Sequence, residues 1–287
     1  MFRSNIALST ALAMLAFAGN SILCRLALKT TAIDPASFTA IRLISAALLL
    51  AILMRFKGQS VAGTGNWKSA GALFAYAAGF SVAYVNLSAG TGALLLFGAV
   101  QLSMISISLW RGEKVSALQI FGLALAFAGL VVLVLPGLAA PPLLSCAFMI
   151  GAGIAWGIYS LRGRGMADAT AVTCGNFIRT IPMAAILFII FFDQVHFDQL
   201  GLVYAVLAGA ITSGLGYAIW YKVLPGLKPL EASVVQLSVP VIAAFAGIVL
   251  MGEVMSLRLV VASIAVLGGI FLVTLAKTVG QARPAKP

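Results

Sequence analysis

The stretch GFSVAYVNL at residues 79–87 returns in altered form as GYAIWYKVL at residues 216–224, 137 positions further along the chain. The two stretches share the glycine, two aromatic positions and the final leucine. The same offset relates two pairs of arginines, Arg25 with Arg162 and Arg42 with Arg179. Unrelated segments are not expected to keep several anchors in one order, so the pattern predicts an internal duplication.

Further matches extend the duplication toward the end of each half. With small gaps, the Gln-Leu-Ser at 101–103 aligns with that at 236–238, and the Gly-Glu at 112–113 aligns with that at 252–253. The anchors keep the same order in both halves. We therefore predict two repeats, residues 1–137 and residues 138–287.

The composition places this duplication in a membrane. Apolar residues make up 62% of the 287 and charged residues 9%, with a mean hydropathy of +1.11. The apolar residues fall in blocks of about 20, the length of a helix that crosses a hydrocarbon core of about 30 Å. Open sheet edges are not stable in lipid, so these blocks are predicted to be helices. The predicted all-α fold has ten transmembrane helices, at residues 4–24, 35–54, 68–87, 91–110, 116–135, 142–161, 169–191, 199–222, 230–251 and 257–276.

Five spans in each repeat give the two repeats opposite orientations in the bilayer. After an odd number of crossings, the second repeat enters from the face that the first one has reached. We therefore predict two inverted five-helix repeats around a central cavity, the architecture of alternating-access carriers. In such carriers the repeats exchange conformations and open a shared cavity to each face in turn. A duplication without transport activity is the alternative.

The basic residues indicate how the chain is oriented. The formal net charge is +11, but the lysines and arginines form no single stripe or tail of the kind that binds nucleic acid. Of the 18 lysines and arginines, 13 lie on the side of the N-terminus. The positive-inside rule then places both termini in the cytoplasm. We expect a multi-pass protein of the bacterial inner membrane with no nucleic-acid partner, and a monomer is compatible with the sequence.

Two features recur in each half at matching places. An arginine lies early in the second span of each repeat (Arg42, Arg179), and Gly-Glu precedes the last span of each. In these features, and over essentially the whole chain, the sequence resembles the drug/metabolite transporter superfamily, in its EamA-type branch of ten-helix exporters. The resemblance implies that helices 1–4 and 6–9 surround the cavity while helices 5 and 10 pack outside. It also implies export of small metabolites, above all amino acids, aromatic ones included.

Polar and aromatic side chains within the spans are the candidates for a substrate site, because polar groups in a bilayer tend to face the bundle interior. Two helix faces carry such residues at i, i+4, i+8 spacing: Tyr76, Phe80 and Tyr84 on one, and Ser213, Tyr217 and Tyr221 on the other. Aromatic rings can contact apolar side chains and the cation of a zwitterion. The predicted substrate-binding residues are Asn20, Arg42, Tyr76, Phe80, Tyr84, Gln101, Trp156, Tyr159, Asn176, Ser213, Tyr217, Trp220, Tyr221 and Gln236.

Several of these residues have a structural alternative. The four amides can equally well bond one helix to another, although Gln101 and Gln236 are favoured as site residues because they occupy equivalent places in the two repeats. Tyr84, Trp220 and Tyr221 lie near span ends, where aromatic residues often form a belt at the membrane surface.

The charged residues in and near the spans also have two interpretations. Arg42 and Arg179 can attract a substrate carboxylate, or they can bond to carbonyl groups at the ends of neighbouring helices. Glu113 and Glu253 precede the last helix of each repeat and are predicted to cap its N-terminus, where the helix dipole favours a carboxylate.

Some residue types are missing from the predicted spans. All seven acidic residues fall in loops or at span ends, and the sole histidine, His196, lies in the predicted loop between spans 7 and 8. A proton-driven antiporter needs a titratable group in its cavity, so facilitated efflux is expected. The three cysteines have no metal-ligand spacing, and neither a metal nor a cofactor is expected. The alternatives are an integral-membrane enzyme acting on a lipid-linked substrate, an exporter of another metabolite or drug class, and a channel.

Overall fold

The computed structural model describes residues 2–60, 64–110, 116–135, 140–163, 166, 168–227 and 229–281, which form ten long helices and their connections. The first seven helices are α1 (Phe2–Thr30), α2 (Pro35–Phe56), α3 (Trp67–Tyr84), α4 (Ala89–Trp110), α5 (Ala117–Val134), α6 (Leu143–Gly163) and α7 (Ala169–Ile190). Helix α8 runs through an α-helical, a π-helical and a second α-helical piece, which are Gln199–Leu207, Ala208–Leu215 and Gly216–Val223. Helix α9 has two pieces, Pro229–Gln236 and Ser238–Met251, and α10 is Leu257–Gln281. Short 3₁₀ turns lie at Phe192–Gln194 and Leu224–Gly226.

The ten predicted spans correspond one to one with these helices, and the described residues contain no strand. Nine of the helices in this part of the chain are long and apolar enough to cross a membrane. The tenth, α3, has 18 residues and begins with Trp67, Lys68 and Ser69, which lower its hydropathy. Helix α1 extends to Thr30, beyond the predicted end at residue 24, because Arg25 is buried within it and has hydrogen-bond partners.

Short polar side chains determine where four of the helices begin. Asp34, Asn66, Asp168 and Asp198 each accept a hydrogen bond from a backbone N–H in the first turn of the helix that follows. These N–H groups have no partner within their own helix, so a side-chain oxygen at this position stabilises the helix. At α2 the next residue is Pro35, whose ring suits the first helical position and lacks an N–H that would need a partner.

Helices α5 and α10 pack against each other at the side of the bundle, next to α4. Gly122 of α5 faces the backbone carbonyl of Gly269 in α10, and Gly129 lies against Ala265 and Val266. Small residues let two helix backbones approach closely, which is how helices associate in lipid. The peripheral position that the family resemblance implies for these two helices is therefore observed.

The other eight helices interlock across the two repeats. Helix α6 packs against α3 and α4 of the first repeat, and its counterpart α1 packs against α8 and α9 of the second. The pair formed by α2 and α7 is its own counterpart. Exchanging the repeats therefore maps these helix pairs onto one another, as expected of an inverted duplication.

Two helices of the second repeat are irregular, one beside a close contact with another helix and one beside a proline. In α8 the π-helical piece contains Gly209, which lies against the backbone carbonyl of Arg42 in α2 so closely that a Cβ would overlap it. In α9 the helix is interrupted at Leu237, because Pro240 has no N–H to donate to the carbonyl of Gln236 and its ring would meet that carbonyl. The corresponding helices of the first repeat, α3 and α4, are continuous.

Contacts between loops show which helix ends share a face. We call the side on which α1 begins and α10 ends the termini face, and the other side the opposite face. On the opposite face the backbone N–H of Asp34 donates to the carbonyl of His196 at 2.9 Å. On the termini face the N–H of Asn66 donates to the side chain of Asn176 at 2.9 Å. His196 lies in an exposed connection, as predicted, and the assignment of the termini face to the cytoplasm remains a prediction.

Two predictions fall on residues 111–115 and 136–139, which lie outside the described residues. These are the helix cap at Glu113 and the boundary between the repeats after residue 137.

Candidate functional site

Aromatic side chains from four helices meet in the middle of the bundle. The Trp156 ring of α6 lies 4.8 Å from the ring of Tyr76 in α3 and 4.8 Å from the ring of Tyr217 in α8, measured between centroids. Phe177 of α7 lies 5.9 Å from Tyr217. Rings at these separations and tilts attract one another beyond the apolar area that they bury. This aromatic cluster joins the two repeats, because α3 belongs to the first and the other three helices to the second.

Arg42 of α2 lies against this aromatic cluster and is 1% exposed. Its Nε donates to the Ser213 hydroxyl at 3.2 Å, and its Nη2 donates to the Tyr76 hydroxyl at 3.1 Å. Its guanidinium carbon lies 5.2 Å from the centroid of the Tyr76 ring and 4.9 Å from that of Phe80. Aromatic faces attract a cation, so the ring faces and two hydroxyls surround this charge.

The π-helical piece of α8 positions the hydroxyl that Arg42 contacts. Ser213 donates its own proton to the carbonyl of Ala208, five residues earlier, at 2.8 Å. The hydroxyl oxygen is thereby left to accept from the Arg42 Nε. A π-helical segment inside an α-helix often marks a functional site.

A chain of polar groups connects Tyr76 with α1 and α8. The Asn20 side-chain N–H donates to the Tyr76 hydroxyl at 3.0 Å, and the Asn20 side-chain oxygen lies 3.3 Å from the Thr212 hydroxyl, whose shorter bond goes to the carbonyl of Ala208 at 2.8 Å. The Tyr76 oxygen therefore accepts from both Asn20 and Arg42. These bonds hold three helices around one phenol group.

A small pocket lies on the termini face, beside the aromatic cluster. Its lining includes Tyr159 and Arg162 of α6, Asn176 of α7 and Tyr221 of α8, and it has room for about one water molecule. Tyr159 lies 5.4 Å from Trp156 between ring centroids, so the indole separates this pocket from the centre of the aromatic cluster.

The opposite face is closed by an ion pair between the two repeats. The Nε of Arg25 lies 3.1 Å from the Glu253 carboxylate, with the two side chains 9% and 8% exposed. Nη1 of Arg25 also donates to the carbonyls of Tyr84 and Val85 at 2.9 and 2.8 Å. Glu253 accepts a second bond from the N–H of Ala89 at 2.8 Å. Helices α1, α3, α4 and α9 are thereby held together at this end.

The observed role of Glu253 corrects the predicted one. It caps a helix N-terminus, but the helix is α4, which begins at Ala89, and not α10, which begins at Leu257. The contact joins residues far apart in sequence, so the distance along the chain gave no indication of it. The helix dipole favours the carboxylate at α4 as it would at α10.

The structure brings together ten of the fourteen predicted site residues, in two adjoining places. Asn20, Arg42, Tyr76, Phe80, Trp156, Ser213 and Tyr217 form the centre, and Tyr159, Asn176 and Tyr221 line the small pocket.

The other four predicted residues lie elsewhere. Tyr84 is buried in the closure of the opposite face, where its hydroxyl donates to the carbonyl of Ala89, so a membrane-surface position for it is wrong. Trp220 packs against Phe17 of α1. Gln101 is buried on α4, and the Gln236 amide donates to the carbonyl of Ala232 within its own helix.

Sequence reasoning did not single out Phe17, Phe177 or Thr212, which complete the centre. Phe17 and Phe177 each contact Tyr217, at 5.8 and 5.9 Å between ring centroids. Phe17 lies three residues before Asn20, on the same face of α1, and this spacing is a signal in the sequence. Thr212 adjoins Ser213, but both reach the centre because the helix there has π geometry.

The model of the EamA-like transporter family matches the chain twice, at residues 5–135 and 143–275. The chain belongs to the EamA-like transporter family. This membership makes it a multi-pass membrane transporter of the drug/metabolite transporter superfamily, built as inverted repeats, as the sequence predicts.

Three similar proteins extend this comparison. An uncharacterised protein of Pseudomonas aeruginosa is 54% identical over 276 residues, which cover 96% of each chain. An uncharacterised transporter of Archaeoglobus fulgidus is 24% identical, over 84% of this chain and 89% of its own. A solved crystal structure with 20% identity superposes with a TM-score of 0.68, covering 95% of this chain and 99% of the other, and shares the fold.

Proposed function

We propose that this EamA-like transporter exports small zwitterionic metabolites, above all amino acids and aromatic ones among them, by alternating access between its two repeats. The observation that carries the proposal is the aromatic cluster around Arg42, enclosed by helices of both repeats. A substrate bound there would contact both repeats, so its binding would be sensitive to their relative arrangement.

The chemistry of the centre suits a zwitterion with an apolar side chain. The guanidinium of Arg42 can bind a carboxylate, and the rings of Tyr76, Trp156 and Tyr217 can contact an apolar side chain or an ammonium group. The rings of Trp156, Tyr76 and Tyr217 contact one another. If these rings separate, the same faces can pack against an aromatic side chain of the substrate.

The closed opposite face supports alternating access. Arg25 and Glu253 join the two repeats there, while the small pocket lies at the termini face. Under the predicted orientation, the closed end is periplasmic and the pocket faces the cytoplasm. Such a state would receive metabolites from the cytoplasm, which agrees with export.

We infer facilitated efflux as the energetic mode. The Glu253 side chain is 8% exposed and is paired with Arg25. Its carboxylate is held at the closed opposite face by Arg25 and the N–H of Ala89, away from the aromatic cluster where a coupling proton would have to exchange with the substrate.

The test is transport by the purified protein in liposomes, using a panel of amino acids with and without a pH gradient. Wild type is expected to equilibrate aromatic and aliphatic amino acids, with saturation and with counterflow. Movement of another metabolite or drug class in place of amino acids would contradict the substrate assignment. Acceleration by the pH gradient would contradict facilitated efflux, and transport without saturation or counterflow would indicate a channel.

Three variants test the location of the site. Tyr217→Ala removes a ring from the centre and is expected to slow transport about tenfold, which corresponds to about 1.4 kcal/mol. Gln101→Ala and Gln236→Ala are expected to have smaller effects, because Gln236 bonds within its own helix. Unchanged transport in all three variants would contradict a substrate site in the aromatic cluster.

A further inference from the structure

Arg42 is a buried cation whose observed partners are all neutral. Its hydrogen bonds go to the hydroxyls of Ser213 and Tyr76, and its cation faces the rings of Tyr76 and Phe80. Among the side chains that the structure describes, no carboxylate contacts it. A charge at this depth normally has an opposite charge or a water path as a partner.

One part of the guanidinium has no partner in the described residues. Nη1 of Arg42 is buried and makes no hydrogen bond there. The guanidinium carries five N–H donors in a fixed plane, and leaving buried donors unpaired destabilises the folded state. Nη1 and Nη2 together have the geometry that binds the two oxygens of one carboxylate.

Arg179, the equivalent arginine of the second repeat, has hydrogen-bond acceptors of a different kind. Arg179 donates through Nη1 to the carbonyl of Gly175 at 2.9 Å and to the carbonyl of Thr64 in the loop between α2 and α3. Both of these partners of Arg179 are backbone carbonyls. The hydrogen bonds of Arg42, in contrast, all go to side chains.

Resting on the proposed function, we propose that Arg42 is the carboxylate anchor of the site, and that the carboxylate is the group a substrate must have. Nη1 and Nη2 would hold the two oxygens. The Tyr76 hydroxyl, which already accepts from Arg42 and Asn20, has its own proton to donate to the same anion.

The ammonium group of an amino acid contributes less in this arrangement. Its available partners are the ring faces of Trp156 and Tyr217 and the oxygen of Asn20, and none of these is charged. An amine without a carboxylate would bring a second cation next to Arg42, and like charges in a poorly solvated site repel strongly. The carrier therefore accepts zwitterions and simple monocarboxylates and rejects the corresponding amines.

The first experiment compares three ligands of one shape in counterflow with labelled phenylalanine. The competitors are phenylalanine, 3-phenylpropionate, which lacks the ammonium, and phenethylamine, which lacks the carboxylate. In wild type, 3-phenylpropionate is expected to compete within about tenfold of phenylalanine, and phenethylamine at least about 100-fold more weakly. Equal competition by the amine would overturn the proposal.

The second experiment changes the anchor and keeps a matched control. Arg42→Gln is expected to weaken both carboxylates about 10-fold to 100-fold and to remove the preference over the amine. Arg42→Lys keeps the charge but not the planar pair of donors, and is expected to restore part of the preference. Arg179→Gln, at the equivalent place, is expected to leave the preference unchanged.

A change of stability alone would not mimic this result, since the ratio of carboxylate to amine competition is independent of how much protein is folded. Should Arg42→Gln fail to fold, Tyr76→Phe keeps the charge, removes the hydroxyl, and is expected to lower the carboxylate preference about tenfold. An unchanged ratio in every variant that folds would overturn the anchor.

The outcome also separates this inference from the proposed function. If wild type transports none of the three ligands, the amino-acid assignment fails, and the anchor is then judged by thermal stabilisation of the purified protein by a panel of monocarboxylates. Stabilisation of wild type and not of Arg42→Gln would support the anchor, because a ligand that binds the folded state raises its stability. No stabilisation of wild type by any carboxylate would overturn it.

Discussion

The two repeats descend from one pattern but use their shared arginines differently. Arg42 of the first repeat lies in the aromatic cluster among hydroxyls and ring faces, whereas Arg179 of the second bonds to backbone carbonyls. Arg25 pairs with Glu253 in a buried contact, whereas Arg162 is exposed and bonds to Ser69 and Asn66. The two repeats thus share one arrangement of helices, but equivalent arginines make different contacts in each repeat.

The same difference appears at the position of the central indole. Trp156 of α6 contacts Tyr76, Tyr159 and Tyr217, while the equivalent residue of α1, 137 positions earlier, is Gly19. At this pair of positions only the second repeat supplies a ring, so the centre is asymmetric although both repeats contribute aromatic residues to it.

The ion pair at the opposite face gives the largest expected effect. Glu253→Gln leaves Arg25 buried without its opposite charge, which typically destabilises a protein by about 3–5 kcal/mol. We expect the opposite face to open and expose the neighbouring thiol of Cys24, now fully buried. Labelling by a membrane-impermeant maleimide, with Cys146 and Cys174 changed to serine, should become at least about tenfold faster.

The matched control lies at the other end of the bundle. Arg162 is exposed and its partners are neutral, so Arg162→Gln is expected to change stability by about 1 kcal/mol or less. The labelling rate of Cys24 should stay at the wild-type value. Equal labelling rates in Glu253→Gln and Arg162→Gln would contradict the expectation that the Arg25–Glu253 ion pair holds the opposite face closed.

The central indole gives the next largest effect. Trp156→Ala removes a half-buried ring and is expected to lower the free energy of unfolding by about 2–3 kcal/mol, less than the loss of a fully buried ring. Thermal unfolding in detergent measures this change. Gly19→Ala, at the equivalent position, meets Thr212 at an ordinary distance of 3.4 Å and is expected to be neutral or slightly stabilising. A larger loss from the Gly19 variant would reverse the comparison.

Removing the break in α9 is expected to raise the stability of the protein, by less than the preceding variants lower it. Pro240→Ala supplies the N–H that the Gln236 carbonyl lacks, so α9 should become continuous like α4, with a gain of about 1 kcal/mol in stability. Interrupted helices mark binding and gating regions in many carriers, so we expect slower transport from a more stable protein. Faster transport in liposomes would exclude a mechanical role for the break.

The smallest effect is expected for Asp198, in the connection before α8, on the pH dependence of transport. The N–H of Gly201 donates to the Asp198 carboxylate and lowers its pKa below the ordinary value. A lowered pKa contributes stability that is present above the ordinary pKa of about 3.9 and is lost as the pH falls through the lowered value. Asp198 therefore stays ionised between about pH 5 and 8, and Asp198→Asn should leave the shape of the transport profile unchanged in that range. A shifted profile would contradict this assignment.

Sequence reasoning found what depends on spacing within one helix or between the repeats. The ten helices, the shared face of Tyr76 and Phe80, and the burial of Arg42 all follow from local patterns and from the duplication. It did not find that Glu253 caps α4, or that α8 becomes π-helical before Ser213. These features depend on how distant helices approach one another, which no local pattern contains.

The pair formed by α5 and α10 has a consequence for how the molecule can move. Each repeat ends in one of these helices, and their glycines press backbone against backbone. Separating such surfaces forfeits contacts that lipid tails cannot replace. We therefore expect α5 and α10 to stay packed together while the other eight helices rearrange, so that this pair keeps the two repeats attached.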